Sequence, residues 1–505
     1  MVKYTVFIGI AGLLVLASQS PAERINQEGR ILGPVPVVTN SVVFNTPQAD
    51  AIVSALQIFP VTNAWNEDVS HRPVLTNSGA MIAQIMADLS TNRRTLRVFQ
   101  EMNFVLVPDS QPLVPIAFIT YPGDSDPGPW PIPSNMPVET WPSGTGTLTL
   151  QQWQQDVNHS GGDRHSIIAQ PGLGFTYETW EAQMTNGHWQ AANGAKFDLK
   201  SNALRTPDYT SGDAAGLSMF PALPRYDECE RGMVEHACRI VVGRSRQEYI
   251  YPATHWASST PASQTNVPGM GQRVRLKSSF VISNSWAIEE KAILKALKKY
   301  GAIVADNGNF FSISITPDDR WPANAFNHIS SIGITNFEVI QTTGPTGGPR
   351  SPGAPVAYAG PDQSAAPSVP INLGGFVNYS TNTTVIQWKL YSGPGTVTFG
   401  NAAQTNTTAT FSAAGTYTLM LSADDSVHAV AYEAVVFTVT PGIALTISRV
   451  GTNLALNWSG ASTTYVLEKS STLPATSWQT VLTTNGQSAR VPISGGSGFF
   501  RVRGQ

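Results

Sequence analysis

Apolar residues in the first two thirds of the chain fall into two periods. Residues 80–89 (AMIAQIMADL) and 288–300 (IEEKAILKALKKY) carry the three-to-four spacing of helices. In the second stretch, positions 288, 292, 293, 296, 297 and 300 form one apolar face, and Gly301 stands where a C-terminal stop belongs. Asn77 or Ser78 is placed to cap the first. Elsewhere the pattern is that of strands. Residues 104–108, 114–119, 165–169, 234–242, 247–251, 273–282 and 302–305 read as extended. Residues 174–182 (GFTYETWEA) alternate, with Phe175, Tyr177 and Thr179 on one face and Thr176, Glu178 and Trp180 on the other. The Pro-rich stretch 121–142 reads as an irregular surface loop carrying Trp130 and Trp141.

The pattern changes at residues 344–354, a Gly/Pro-rich break, beyond which lie Thr/Ser/Val-rich segments with little candidate chemistry. This predicts a mainly β chain with a few helices. A β-rich α+β body of sandwich or jelly-roll type over residues 59–343 follows a lead-in at 23–58, and two small β-sandwich modules occupy 355–440 and 443–505. The second module, about 60 residues long, is short for a complete sandwich.

Composition narrows the class. Charged residues are 13% of the chain and the formal net charge is -3, with no basic stripe, so nothing points to nucleic acid. Lys3, the apolar run 4–17 and the small residues Ala17, Ser18, Ser20 and Ala22 read as a secretory signal over 1–22; no other run is long enough to span a membrane. The expected product is a secreted or cell-surface monomer. In that compartment Cys229 and Cys238 are expected to pair as a disulfide.

The sequence has no Gly-x-Ser-x-Gly elbow, His-Glu-x-x-His, P-loop or dinucleotide fingerprint. Candidate chemistry is concentrated between Asp163 and Asp306, with no cofactor and no metal site expected. Gly161-Gly162-Asp163-Arg164-His165 sets an acid, a cation and an imidazole at a strand mouth. Glu178 and Trp180 share a strand face, as a sugar-stacking indole beside a catalytic carboxyl would. Asp213 sits in a small-residue loop, and Arg225 is a positioning candidate. His255 and Trp256 end another segment, and Asp306 opens a turn. His236 reads as structural. The leading expectation is a glycoside hydrolase, with Glu178 as acid/base, Asp163 or Asp213 as nucleophile or base, and Trp180 and Trp256 as platforms. The alternatives are a polysaccharide lyase, with His165 or His255 as base, Arg164 or Arg225 on the uronate and Tyr177 as acid, and a non-enzymatic carbohydrate-binding or cell-surface protein.

Three resemblances carry residues with them. Gly162-Asp163-Arg164-His165, Tyr177-Glu178, Asp213-Ala214-Ala215-Gly216-Leu217, Arg225-Tyr226-Asp227-Glu228, Pro252-Ala253-Thr254-His255 and Ala305-Asp306-Asn307-Gly308 resemble a family of exported, largely uncharacterised bacterial proteins, a likeness that implies export and body limits rather than a reaction. Residues 357–363 (AYAGPDQ), Trp388, residues 411–419 (FSAAGTYTL) and Asp424-Asp425 resemble Ig-like modules of the polycystic-kidney-disease type. Leu456, Trp458, Tyr465, Leu467 and Trp478 fall at fibronectin-type-III-like positions.

Overall fold

A computed structural model describes residues 23–378, 382–460, 462–494 and 498–504; the expected leader at 1–22 lies outside them. The chain divides into two units, one formed by residues 24–354 with 426–430, the other by Glu23 and the described residues of 355–425 and 431–505. It is mainly β with a few helices.

The first unit holds fourteen strands in three mixed sheets. The five-stranded sheet has the order β1 (Val42–Val43), β3 (Val105–Leu106), β5 (Ser166–Gln170), β6 (Phe175–Trp180), β9 (Asn193–Asp198). The six-stranded sheet has the order β14 (Phe337–Val339), β11 (Arg273–Leu276), β12 (Ala302–Asn307), β10 (Cys238–Val242), β13 (Phe311–Ile315), β2 (Leu96–Gln100). A three-stranded sheet contains β4 (Ile116–Phe118), β8 (His188–Ala191) and β7 (Gln183–Thr185). Parallel pairs β10/β12, β13/β2, β3/β5 and β4/β8 sit among antiparallel ones, a mixture that a purely antiparallel jelly roll lacks.

The helices are α1 (Pro47–Ser54), α2 (Ser78–Ala87), α3 (Leu150–Gln154), α4 (Tyr226–Glu230) and α5 (Ile288–Lys299). In α5 the acids Glu289 and Glu290 lie in the first turn and Lys298 and Lys299 in the last, complementing the helix dipole. Gly301 then adopts φ 66°, the left-handed stop that its position predicted. α1 and β1 fall in the stretch read as a lead-in. Thr46 caps α1 and Phe44, Ile52 and Val53 are buried, so this stretch packs into the main core.

Both faces of the five-stranded sheet are covered. The main core, which includes Leu106, Ile167 and Ala169, lies on one side. A second core built on Trp130, Ile132, Met136, Tyr177 and Trp189 lies on the other. The Pro-rich stretch is thus a surface loop only in its first part, residues 121–129; Trp130 is 1% exposed, and residues 131–133 and 136–138 are buried with it. Residues 247–251 form no strand, because Tyr249 makes only an isolated bridge to Met270. The Gly/Pro break is held down on the first unit. Arg350 donates to the Thr62 carbonyl (2.7 Å), pairs with Glu67 (3.2 Å) and lies 4.6 Å over the Tyr251 ring.

Cys229 on α4 and Cys238 at the start of β10 are free, not bridged, and both are fully buried in the main core. Burial pushes both thiols up. Native protein is expected to leave a chromogenic disulfide reagent unreacted, with two thiols appearing on unfolding and no change of Tm on adding reductant. Fewer than two titratable thiols in the unfolded chain would indicate a bridge.

In the second unit, residues 356–439 form a four-stranded sheet, a three-stranded sheet and a short two-stranded ribbon around Trp388, Phe411, Tyr417 and Phe437. Tyr417 donates its hydroxyl to the Ala413 carbonyl at 3.0 Å, closing the corner of this module. Residues 444–504 form two three-stranded sheets with their own core of Leu456, Trp458, Tyr465 and Leu467. Trp478 stays at the surface under Arg501, 4.4 Å from the guanidinium.

Candidate active site

One short stretch of loop ties the two larger sheets together. Thr140 donates its N–H to the Glu101 carbonyl (2.9 Å), just beyond β2. Glu139 donates its N–H to the His165 carbonyl (2.8 Å), just before β5. His165 returns two bonds to Glu139 Oε2, from its backbone N–H (3.1 Å) and from Nδ1 (2.9 Å). Between these anchors lies a cluster of charges centred on Arg239.

Arg239, the second residue of β10, points inward and is 2% exposed. Its Nε and Nη2 grip Asp213 at 3.1 and 2.9 Å, Nη2 also reaches Asp306 Oδ2 at 3.3 Å, and Nη1 donates to Ser314 Oγ at 3.0 Å. Ser314 donates to Glu101 Oε1 at 2.6 Å. Asp213 and Ser314 are buried, whereas the Asp306 side chain is 24% exposed. Asp306 comes from the end of β12, where the pairing with β10 shifts register between Ile240 and Val241. That irregularity brings the carboxyl back onto the arginine.

The electrostatics separate the carboxyls. Burial first, then the Asp213 carboxylate on the same arginine, pushes Asp306 up to about 6, against the pull of Arg239, the Asn307 N–H and His165. Burial also raises Glu101, with Ser314 working against it. Burial acts upward on Glu139 too, but the His165 imidazolium and its bonds outweigh it and hold this carboxyl below its ordinary range. For His165, burial works downward and Glu139 outweighs it, lifting the ring to about 9. Glu139 is therefore an ionised carboxylate with Oε2 tied down and Oε1 accepting no hydrogen bond from a described residue.

Two aromatic surfaces border the cluster. His255 Nδ1 lies 2.7 Å from the Ala214 carbonyl, so the proton sits on Nδ1 and Nε2 is left open. His255 stacks on Trp256 and Trp256 on Tyr249, with interplanar angles of 11° and 13°. Asn307 fixes the same segment from the other side by donating to the Ala257 carbonyl at 2.6 Å. This approach requires Gly216: a Cβ there would stand 2.1 Å from Thr254 Oγ1, and its φ is 72°. On the other border Trp180 donates to Asp163 Oδ1 at 3.4 Å and lies beside Tyr121, 6.1 Å between centroids. Asp163 is exposed and close enough to act on the His165 charge.

Of the residues singled out from sequence, His165, Asp213 and Asp306 meet around Arg239, with Asp163, Trp180, His255 and Trp256 at the borders. Four others are directed elsewhere. Glu178 is fully buried and accepts from Ser218 Oγ (2.6 Å), Met219 N–H (2.6 Å) and Phe220 N–H (3.2 Å), so it anchors the loop after Asp213 and cannot reach a substrate. Burial pushes its carboxyl up to about 7 against those bonds. Tyr177 is buried in the second core and donates to Gln170 Oε1 at 3.1 Å. Arg164 is buried on the carbonyls of Ala182 and Trp153 (3.1 and 2.7 Å) and lies 5.4 Å over the Trp153 ring. Arg225 is buried at the start of α4, on Glu228 (2.8 Å) and the Leu223 carbonyl (3.1 Å). His236 is structural as read, between Glu228 and the Ala237 carbonyl. Glu101, Glu139 and Ser314 were not singled out from sequence.

No family model matches the chain, and no curated protein matches it. Solved structures that it resembles include the PKD domain from the KIAA 1837 protein (26% identity, 18% of this chain and 89% of that one, TM-score 0.15). Others are the PKD domain of human KIAA0319 (19% identity, 20% and 94%, TM-score 0.16) and fibronectin(III)-like modules of CbhA from Clostridium thermocellum (10% identity, 30% and 84%, TM-score 0.17). PKD, Ig-like and fibronectin III-like domains are thus among the structural neighbours of this chain. Among the described residues, no helix is long and apolar enough to cross a membrane.

Proposed function

We propose that the chain is an exported polysaccharide-active enzyme, a glycoside hydrolase working as a monomer, with its reaction centre at Arg239. Asp306 is the general acid and Glu139 the nucleophile or general base. Glycosidic cleavage needs one carboxyl that holds its proton and one that stays ionised. The observation that carries the reading is that Asp306 is pushed up to about 6 while Glu139 is held below its ordinary range, within one cluster. Arg239 and Asp213 are positioning residues: Asp213 holds Arg239, and Arg239 holds Asp306. His165 holds Glu139 by one oxygen and leaves the other for the sugar. Trp180 with Tyr121, and Trp256 with Tyr249, supply apolar faces on which pyranose rings stack.

The β-modules fit the role of spacers or binding units on a large target. The test is the purified full chain on a polysaccharide panel, read for reducing ends and for unsaturated, ultraviolet-absorbing products. Reducing ends without unsaturation are expected. Unsaturated products would replace this mechanism with a lyase, and polymer binding without any product would replace it with a binding module.

A further inference from the structure

The arrangement of charge around Arg239 also bears on which polymers can enter, an inference that rests on the reading just given. The cations close to the cluster are already engaged. Arg239 uses Nε, Nη1 and Nη2 on Asp213, Ser314 and Asp306. His165 is 4% exposed, with Nδ1 on Glu139. Arg164 is buried, with Nε and Nη2 on backbone carbonyls and Nη1, which makes no hydrogen bond, facing Asp156 at 3.5 Å, and Arg205 is held by Asp126 (2.5 Å) and the Thr210 carbonyl (2.9 Å). The groups left to meet a ligand are the exposed Asp163, the partly exposed Asp306, the open Oε1 of Glu139, His255 Nε2 and two aromatic faces.

We infer that this site takes a neutral glycan and excludes uronate polymers. Hydroxyls donate well to carboxylates, and pyranose faces lie well on indoles. A uronate carboxylate would instead enter beside Asp163 and Glu139, where Arg239, Arg164 and Arg205 are each committed to a carboxylate of the protein and Arg239 and Arg164 are buried besides, and like charges brought together in this way are costly. Asp163 is the selectivity residue, since it is the exposed acid at the border and stands beside the Trp180 indole.

The experiment is affinity electrophoresis of the full chain through gels containing neutral polymers (β-glucan, mannan, xylan) or uronate polymers (polygalacturonate, alginate), at low and raised salt. Retardation is expected with at least one neutral polymer, indifferent to salt, and about tenfold or more weaker with the uronates. Retardation by the neutral polymer should be lost in the Trp180→Ala/Trp256→Ala variant; if it persists there, binding lies elsewhere and the inference falls. Asp163→Lys, an exposed change, should gain salt-sensitive uronate retardation. Equal retardation by uronates in the wild type, no retardation by any neutral polymer, or no gain in Asp163→Lys each overturns the inference. The two readings fail separately. Undiminished product release by Asp306→Asn would sink the catalytic assignment and leave the selectivity standing, whereas lost selectivity with Asp306-dependent release would sink only this inference.

Discussion

Asp306→Asn is expected to lower kcat on the responsive polysaccharide by about two to four orders of magnitude, the usual contribution of a positioned proton donor. The sign of the pH dependence follows from the environment. Asp306 is pushed up to about 6 by burial and by Asp213, so it carries its proton below that pH and loses it above. Turnover in the wild type should therefore hold on the acid side and fall as pH rises through about 6. Glu139 is held below its ordinary range, which places the acid limb lower still. The residual activity of Asp306→Asn should lack the fall near pH 6. Stability should change little, because Arg239 keeps both bonds to Asp213 and because burial already disfavours the ionised form of Asp306. Steady-state kinetics across pH, with a thermal melt of each protein, decides the matter. An unchanged kcat, or the same alkaline fall in the variant, would remove Asp306 from the reaction.

The elements were more legible than the site. Helical spacing over 288–300 located α5 almost to the residue, since its apolar face, acidic first turn and Gly301 stop all agree. Alternation located β6 and correctly put Tyr177 and Glu178 on opposite faces. It could not say what covers each face. Here both are covered, one by the second core and one by the loop through Ser218 to Phe220, so Glu178 became an anchor rather than an acid. Asp213 and Asp306 were legible because small residues and a turn surround them, a pattern typical of a carboxyl held at close quarters. Glu139 was not, because its role depends on reciprocal bonds with His165, twenty-six residues away, in a stretch whose prolines masked its packing. The expected disulfide failed for a related reason. An expected compartment and a cysteine count would allow a bridge, but neither says where the two side chains pack, and both lie free in the main core.

The largest effect on stability is expected at Arg239. Arg239→Met would leave the Asp213 carboxylate, whose side chain is 0% exposed, with the Ala214 N–H (3.0 Å) as its remaining donor. It would also leave Ser314 and Asp306 without their shared partner. Breaking a buried ion pair from one side costs about 3–5 kcal/mol, because the charge that remains is uncompensated. Replacing both members, Arg239→Met with Asp213→Leu, removes that charge as well, and a packed apolar pair in such a position is about neutral. Calorimetry following the melting transition of the body should thus show a deep loss in the single variant and recovery of most of it in the double. If the double variant is as unstable as the single, the loss comes from packing around β10 and not from charge. Activity should not return with stability. With no guanidinium to draw Asp306 inward, the proton donor loses its position even in a well-folded body, so in the double variant the structural and chemical roles of Arg239 come apart.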